Sequence, residues 1–89
     1  MATIRIPSPL RQYADHQAVV TVENGTVNAA LAELTTRYPT LHNHLYNGDT
    51  LRSFVNIYLN QEDIRHLDGD QMQLSDGDQL LIVPSIAGG

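Results

Sequence analysis

One amphipathic helix constrains the fold of this chain more than any other feature of its sequence. Apolar residues recur at helical spacing between Thr26 and Pro39 and form one stripe along the helix. The members of the stripe are Val27, Ala30, Leu31, Leu34 and Tyr38. Thr26 stands at the expected N-cap, and Pro39 ends the helix because it excludes the preceding residue from the α region. We interpret the stripe as core, because no other segment can cover the sheet that the remaining sequence predicts.

Residues rich in β-branched and aromatic side chains lie on both sides of this helix and predict a sheet. Residues 3–6 and 18–22 are close enough in sequence to form a hairpin. Residues 54–59 form the clearest strand, and residues 79–83 are apolar almost throughout, which indicates a buried central strand. The order of elements predicts an α+β fold, in which a mixed sheet carries one main helix across one face.

Shorter elements are predicted between these strands. Residues 40–48 suit a short second helix with Leu41 and Leu45 one turn apart and Gly48 as its C-terminal breaker. Residues 64–65 are expected to pair briefly, and Met72 and Leu74 to enter the core from an irregular or 3₁₀ segment. Turns are predicted at residues 60–63 and 76–78.

The composition excludes several classes of protein. The 89 residues suit one domain, and a net charge of −5 with 42% hydrophobic residues indicates a folded rather than a disordered chain. Cysteine is absent, which excludes disulfides, thiolate metal sites and a cysteine nucleophile. All five basic residues are scattered arginines, so nucleic acid is not an expected partner. No stretch has the length and apolar character of a membrane span, and we predict no membrane association and a cytoplasmic, reducing location.

Two pairs of side chains have the residue types of a metal or acid–base site. His42 and His44 are two residues apart, so they diverge on a helix, and we expect no metal site there. Asp76 and Asp78 flank a glycine before a strand, and turn chemistry explains them without a bound cation. The sequence therefore predicts no metal site and no set of catalytic side chains.

The C-terminal residues Ile86, Ala87, Gly88 and Gly89 are the main candidate site. Glycine has no Cβ, so a Gly-Gly end can enter a channel that larger residues would block. With average glycine usage, two terminal glycines arise by chance on the order of once in two hundred chains. We predict one domain over residues 1–84 and a flexible tail over residues 85–89, because so short an end cannot offset its own conformational entropy by burial.

Three segments give the chain a resemblance to a known family. They are residues 52–60, the turn at residues 76–78 and the ending over residues 84–89. They resemble the ubiquitin-like, β-grasp sulfur carriers of the ThiS/MoaD family and are most similar to the CysO type of cysteine biosynthesis. The resemblance runs over nearly the whole chain, although thiazole-pathway carriers are usually shorter in the region of residues 39–53.

The resemblance implies a protein substrate rather than an enzyme. An E1-like adenylyltransferase and sulfurtransferase would use ATP to adenylate the Gly89 carboxylate, and sulfur from a donor would then replace AMP to give a thiocarboxylate. Gly88 would let the tail enter the partner's site. The sulfur acceptor would be a cysteine synthase-like enzyme or the large subunit of molybdopterin synthase. The carrier itself would bind no cofactor.

A docking face and two alternative functions remain open. Phe54, Asn56 and Tyr58 are expected on the sheet face away from the helix, where the aromatic pair of Phe54 and Tyr58 would anchor a partner. The alternative is that one or both of these aromatic residues pack beneath the loop of residues 40–51. One alternative function is a ubiquitin-like modifier conjugated through Gly89 to target lysines. The other is a non-catalytic interaction domain in which the two terminal glycines have no role.

Overall fold

The structure is a computed structural model, and it describes residues 1–23, 25–48, 50–52, 55–64 and 69–84. Two α-helices are present in these residues: α1 (Val27–Arg37) and α2 (Pro39–Leu45). The strands are β1 (Ala2–Arg5), β2 (Val19–Val22), β3 (Tyr46–Asn47), β4 (Thr50–Leu51), β5 (Val55–Leu59), β6 (Glu62–Asp63) and β7 (Gln79–Pro84). Two 3₁₀ helices complete the described elements, at Ser8–Tyr13 and Gly69–Gln71.

The main sheet has five strands in the order β2-β1-β7-β5-β6. Strands β1 and β7 are parallel, and the other neighbouring pairs are antiparallel, so the sheet is mixed as predicted. The first two strands form the predicted hairpin, with Ile4 opposite Val20. The apolar last strand lies in the centre of the sheet, between β1 and β5, which also confirms the prediction.

One face of the sheet and the apolar stripe of α1 form the core. The alternation in β5 is as predicted, with Val55, Ile57 and Leu59 buried. From the helix, Val27, Ala30, Leu31 and Leu34 are buried, and Tyr38 packs against the cluster half-buried. Burial of such side chains contributes roughly 1.5–3 kcal/mol each. Helix α1 therefore covers the sheet, as the sequence predicts.

Helix α1 begins and ends where the sequence predicts. The Thr26 hydroxyl accepts a hydrogen bond from the Ala29 backbone N–H at 3.1 Å, which satisfies a donor that the first turn leaves unpaired. Tyr38 ends the helix in a non-helical conformation (φ −127°, ψ 80°) before Pro39. Pro39 then opens α2 directly, because its fixed φ and missing N–H suit a first helical position.

The second helix is present and shorter than the predicted segment. Leu41 and Leu45 are both fully buried, so α2 contributes to the core. The role predicted for Gly48 is wrong, because α2 already ends at Leu45 and two short strands follow. Gly48 has a φ of +69° in the turn that joins β3 to β4, a conformation that favours glycine. The sequence shows no alternation over two-residue strands, so this ribbon was not predicted.

The turn after β5 is tighter than predicted. Asn60 and Gln61 have φ values of 48° and 77°, which is the pattern of a two-residue type I′ hairpin turn. Strand β6 therefore begins immediately, and Glu62 pairs with Leu59. The predicted pairing of residues 64–65 is wrong for Ile64, which is buried just beyond β6, while residue 65 lies outside the described residues.

Candidate functional site

The end of β7 is where the predicted tail begins. Pro84 is the last described residue, and it lies opposite Val55 of the neighbouring strand β5. Because β7 is central, the chain leaves the middle of the sheet rather than its edge. Ile86, Ala87, Gly88 and Gly89 lie outside the described residues, so their role as the reactive tail stays a prediction.

Two of the three predicted docking residues are among the described residues, and both lie on the sheet face away from α1. Asn56 and Tyr58 are half-buried there, and Phe54 lies outside the described residues. Tyr58 is opposite Leu81 on one side and Asp63 on the other, while Asn56 is opposite Val83. The alternation of β5 was therefore sufficient to place two of the three residues on one face.

The outer face is wider than the predicted set. We use this name for the face away from α1, formed by Thr3, Arg5, Val19, Thr21, Asn56, Tyr58, Leu81 and Val83. A continuous cross-strand row runs through it, in the order Val19, Arg5, Leu81 and Tyr58, and ends beyond it at the buried Asp63. Arg5 is exposed and Leu81 half-buried, so a positive charge stands beside apolar surface. Sequence reasoning missed this row because strand order, which alternation does not reveal, makes these residues neighbours.

Of the two aromatic residues for which packing beneath the loop of residues 40–51 is the alternative, Tyr58 lies in the described residues and Phe54 does not. A pocket at the start of β5 is lined by Asn56 together with Leu51 and Arg52, so the end of the preceding loop comes close to Asn56. Tyr58 does not line that pocket. Its register places it next to Leu81 on the outer face, where a partner can contact it.

The titratable groups near the site do not form a catalytic cluster in the described residues. His44 stacks on Tyr13 with ring centroids 4.0 Å apart, and His42 stacks on Tyr46 at 4.8 Å. The two histidines thus face different tyrosines, as their divergence on a helix requires. Among the residues the structure describes, no group of three acidic or histidine side chains could hold a metal ion. No described helix is long and apolar enough to cross a membrane.

One carboxyl group has a shifted pKa. The Ser75 backbone N–H, followed by the Asn60 side-chain amide, lowers the pKa of Asp78 below its usual value of 3.8, because both donate hydrogen bonds to the charged form. These bonds hold the turn of residues 76–78 at the start of β7. The prediction that turn chemistry accounts for Asp78 is therefore supported by its contacts.

Comparison with known proteins gives one family and a consistent set of relatives. A model of the ThiS family matches residues 4–89. The sulfur carrier protein CysO of Mycobacterium tuberculosis is 34% identical over 90 residues, covering 98% of this chain and 97% of that protein. The CysO chain in a crystal structure of the Amycolatopsis orientalis BexX/CysO complex is 31% identical over all of both chains, with a TM-score of 0.88.

A second kind of relative is also similar in structure. The solution structure of small archaeal modifier protein 1 from Methanosarcina acetivorans has a TM-score of 0.88 at 29% identity, covering 99% of this chain and 95% of that one. These comparisons confirm the predicted α+β, β-grasp fold and the resemblance drawn from the sequence. They include proteins named as sulfur carriers and proteins named as modifiers.

Proposed function

The chain belongs to the ThiS family, and from this membership we propose that it is a sulfur carrier that acts through the carboxylate of Gly89. Its similarity to a sulfur carrier over nearly the full length of both chains supports this function above the alternatives. The structural observation that carries the proposal is the central position of β7, the strand that ends at Pro84 immediately before the tail. The carrier presents the Gly89 carboxylate to its partner enzymes, and these enzymes supply the catalytic groups.

The chemistry follows from the weak reactivity of a free carboxylate. An E1-like partner would join the Gly89 carboxylate to the AMP part of ATP with release of pyrophosphate, which gives a reactive acyl adenylate. Sulfur from a donor would then attack the acyl carbon and displace AMP, leaving a thiocarboxylate. This group is a soft nucleophile that a synthase can use in a site closed to water. A side chain at Gly88 would hinder entry into both partner sites.

The outer face is the proposed docking surface for these partners. Tyr58 and Leu81 offer adjacent aromatic and aliphatic contacts, and Arg5 offers a charge that an acidic group on a partner would pair with. Leu81 and Val83 of the outer face lie on β7, which ends at Pro84. A partner that binds the tail therefore also lies close to the outer face. We extend the predicted docking set of Phe54, Asn56 and Tyr58 to include these residues.

The sulfur acceptor is proposed from the same similarity. Likeness to CysO over nearly the whole chain favours a cysteine synthase-like acceptor over the large subunit of molybdopterin synthase. Incubation of the thiocarboxylated carrier with each purified enzyme and its acceptor substrate would distinguish them. The correct enzyme would consume the thiocarboxylate by joining its sulfur to the acceptor substrate with loss of the acceptor's leaving group, which gives a thioester-linked adduct. Hydrolysis of that adduct by water would then return the carrier to its carboxylate form and release the sulfur-containing product, whereas the other enzyme would leave the thiocarboxylate intact.

Intact mass spectrometry tests the carrier function itself. The protein is incubated with its activating enzyme, ATP and a sulfur donor, and the mass should change by the replacement of one oxygen with sulfur. A variant without Gly89 is the matched control, which should remain unmodified with an unchanged melting temperature. Unmodified wild-type protein in the presence of a competent activating enzyme would contradict the proposal, and a large loss of thermal stability in the control would show that the tail is structural.

A protein modifier is the second candidate, favoured by the similarity to small archaeal modifier protein 1. The same incubation distinguishes it, because attachment of Gly89 to target lysines produces adducts of higher mass. The chain has no lysine, so another copy cannot be attached to it through a side-chain amine. Adducts with other proteins, without the mass of a thiocarboxylate, would favour the modifier, and the absence of both products would favour the plain interaction domain.

A further inference from the structure

Strand β2 forms one outer edge of the main sheet. It pairs with β1 on one side, and no strand lies on its other side within the described residues. The Ile6 N–H donates to the Ala18 carbonyl at 2.8 Å, so Ala18 turns its backbone groups toward β1. Because these groups alternate along a strand, Val20 also faces β1. Val19 and Thr21 therefore present their N–H and carbonyl groups at the open edge.

Two side chains of helix α1 occupy part of this edge. Arg37 donates from Nη1 to the Thr21 carbonyl at 3.2 Å. Glu33 Oε1 accepts from the Glu23 backbone N–H at 3.0 Å. The two side chains also bond each other across one turn of the helix, from Arg37 Nη2 to Glu33 Oε2 at 2.6 Å. The Glu33–Arg37 pair thus withholds two backbone groups of the edge from any further strand.

The other outward backbone groups of the edge are unoccupied. The Val19 N–H, the Val19 carbonyl and the Thr21 N–H have no partner among the residues that the structure describes. The Val19 side chain is 38% exposed, and it is one of two large apolar side chains exposed in those residues. Unpaired donors and acceptors beside exposed apolar surface form a template for pairing with another chain.

The hydrogen-bonding pattern of this edge is complementary to a second copy of itself. In an antiparallel pair, opposite residues exchange two hydrogen bonds at every second position. If two copies of β2 pair about a two-fold axis at Val20, Val19 of each copy lies opposite Thr21 of the other. Each of these pairs exchanges two bonds, which uses every outward group of both residues. Such self-complementary contact is the pattern of a symmetric dimer.

Arg37 blocks this pairing at one acceptor in each copy. The Thr21 carbonyl would have to accept from the Val19 N–H of the other copy, but Arg37 already donates to it. Glu33 maintains the block, because its charge-assisted bond to Arg37 holds the guanidinium beside the Thr21 carbonyl. The contact that closes the edge is therefore made by α1 of the same chain.

We propose that the β2 edge is a self-pairing surface and that the Glu33–Arg37 pair keeps it closed, so that the chain stays monomeric. The partner that the pair excludes is β2 of a second copy, in antiparallel orientation with Val19 opposite Thr21. Val19 also belongs to the outer face, so a second copy at this edge would lie beside the proposed docking surface. The inference does not depend on the proposed function, because it concerns the sheet edge and not the chain end.

A double variant tests the role of the pair without a change in net charge. Glu33→Ala with Arg37→Ala removes one acidic and one basic side chain, and alanine favours the helix at both positions. Sedimentation equilibrium, over concentrations that reach the millimolar range, should give a dimer at least about tenfold tighter than any formed by the wild type. The reason is that the Thr21 carbonyl of each copy becomes able to accept. A double variant that associates as weakly as the wild type would overturn the proposal.

The matched control is Asn28→Ala with Thr36→Ala, which also leaves the net charge unchanged. Both residues are exposed on α1, and neither takes part in the hydrogen bonds at the edge. The control should associate no more strongly than the wild type. Equal dimerisation of the control and the double variant would contradict a specific role of the Glu33–Arg37 pair.

Amide hydrogen exchange identifies the surface through which the double variant associates. The Val19 and Thr21 N–H groups should exchange at least about tenfold more slowly in the dimer than in the diluted monomer. The Val20 N–H, which faces β1, is the internal reference and should change much less. Protection confined to other residues would show that the copies meet elsewhere and would overturn the proposed pairing.

Proline at position 21 supplies the reverse test. It has no N–H, and an edge strand tolerates it where the N–H points away from the sheet. Added to the double variant, Thr21→Pro should restore the monomer, because each Val19–Thr21 pair loses one donor. Dimerisation that persists in the triple variant would contradict the pairing. An unchanged far-ultraviolet circular dichroism spectrum shows that this variant is folded, and the exchange experiment does not depend on it.

Discussion

Asn60 and Asp78 join the turn after β5 to the start of β7. The Asn60 Nδ2 atom donates to Asp78 Oδ1 at 3.0 Å, and Asn60 Oδ1 accepts from the Gln79 backbone N–H at the same distance. Asp78 Oδ2 accepts in addition from the Ser75 N–H at 2.8 Å. Two side chains thus satisfy the backbone N–H groups on either side of the turn at residues 76–78, at the end of the sheet opposite to the tail.

This contact predicts a dependence of stability on acid. The pKa of Asp78 is lower in the folded state than in the unfolded state. Its contribution to the free energy of unfolding is therefore fully present above the pKa of the unfolded state and is lost as the pH falls through the pKa of the folded state. For Asp78→Ala we expect the free energy of unfolding near neutral pH to fall by about 0.5–1 kcal/mol, a value kept low because solvent screens the contact. The free energy of unfolding, measured in urea from pH 7 to pH 2.5, should fall less below about pH 4 in the variant than in the wild type. Parallel curves would contradict this role of Asp78.

The type I′ turn predicts a substitution that stabilises the protein. Gln61 has a φ of 77°, a left-handed conformation that costs a residue with a Cβ roughly 1–2 kcal/mol. Gln61→Gly should remove this strain at an entropic cost of roughly 0.5–1 kcal/mol and raise the free energy of unfolding by about 0.5 kcal/mol. Gln61→Ala keeps the strain, and we expect nearly wild-type stability from it. A lower urea midpoint for Gln61→Gly than for Gln61→Ala would show that the turn is not strained.

Local chemistry made the larger elements predictable. Thr26 and Pro39 mark the ends of α1 through their own backbone chemistry, and the apolar spacing between them gives the buried face. Alternation in β5 predicts that Val55, Ile57 and Leu59 lie on the buried face, and the apolar character of β7 predicts its central position. These features depend on a few adjacent residues, which a sequence displays directly.

The remaining features depend on contacts between distant segments. The exposed position of Arg5 beside Leu81 exists only because β1 and β7 are parallel neighbours, separated by more than seventy positions in the sequence. Gly48 suits a helix end and a hairpin turn equally, and the pairing of β3 with β4 determines which one forms. The hydrogen bond from the Arg37 side chain in α1 to the Thr21 carbonyl in β2 likewise joins two separate segments. Sequence patterns do not contain these relationships.

The N-cap of α1 predicts a moderate loss of stability. Removal of the hydroxyl in Thr26→Ala leaves the Ala29 N–H without its partner and should cost about 1 kcal/mol. Thr26→Ser retains the acceptor and should remain within a few tenths of a kcal/mol of the wild type. Urea unfolding with an unchanged m value provides the measurement. Equal losses in both variants would assign the effect to the methyl group instead of the cap.

The burial of α2 predicts a large loss on truncation. Leu45 is fully buried, so Leu45→Ala removes its contacts and leaves a cavity, and we expect a cost of about 2–5 kcal/mol. Asn43→Ala, at an exposed position of the same helix, should change stability by no more than about 0.5 kcal/mol. Thermal unfolding of both variants gives the comparison. Similar melting temperatures for the two would show that α2 is not part of the core.

The outer face predicts a change in partner affinity without a change in chemistry. Tyr58 is half-buried beside Leu81, so Tyr58→Ala removes an aromatic contact that contributes equally to the ground and transition states of the activating reaction. We expect the KM for the carrier to rise about tenfold, which corresponds to about 1.4 kcal/mol, with kcat unchanged. Steady-state pyrophosphate release measures both constants.

Thr36→Ala is the control for that substitution, because Thr36 is exposed on α1, which covers the opposite face of the sheet. Its KM should equal that of the wild type. A decrease in kcat at constant KM for Tyr58→Ala would mean that Tyr58 affects the position of the tail during the reaction. Wild-type values of both constants would show that Tyr58 is not part of the docking surface. The Arg5→Glu variant would then test the rest of the outer face, since reversal of this exposed charge should raise the KM if that face binds the enzyme.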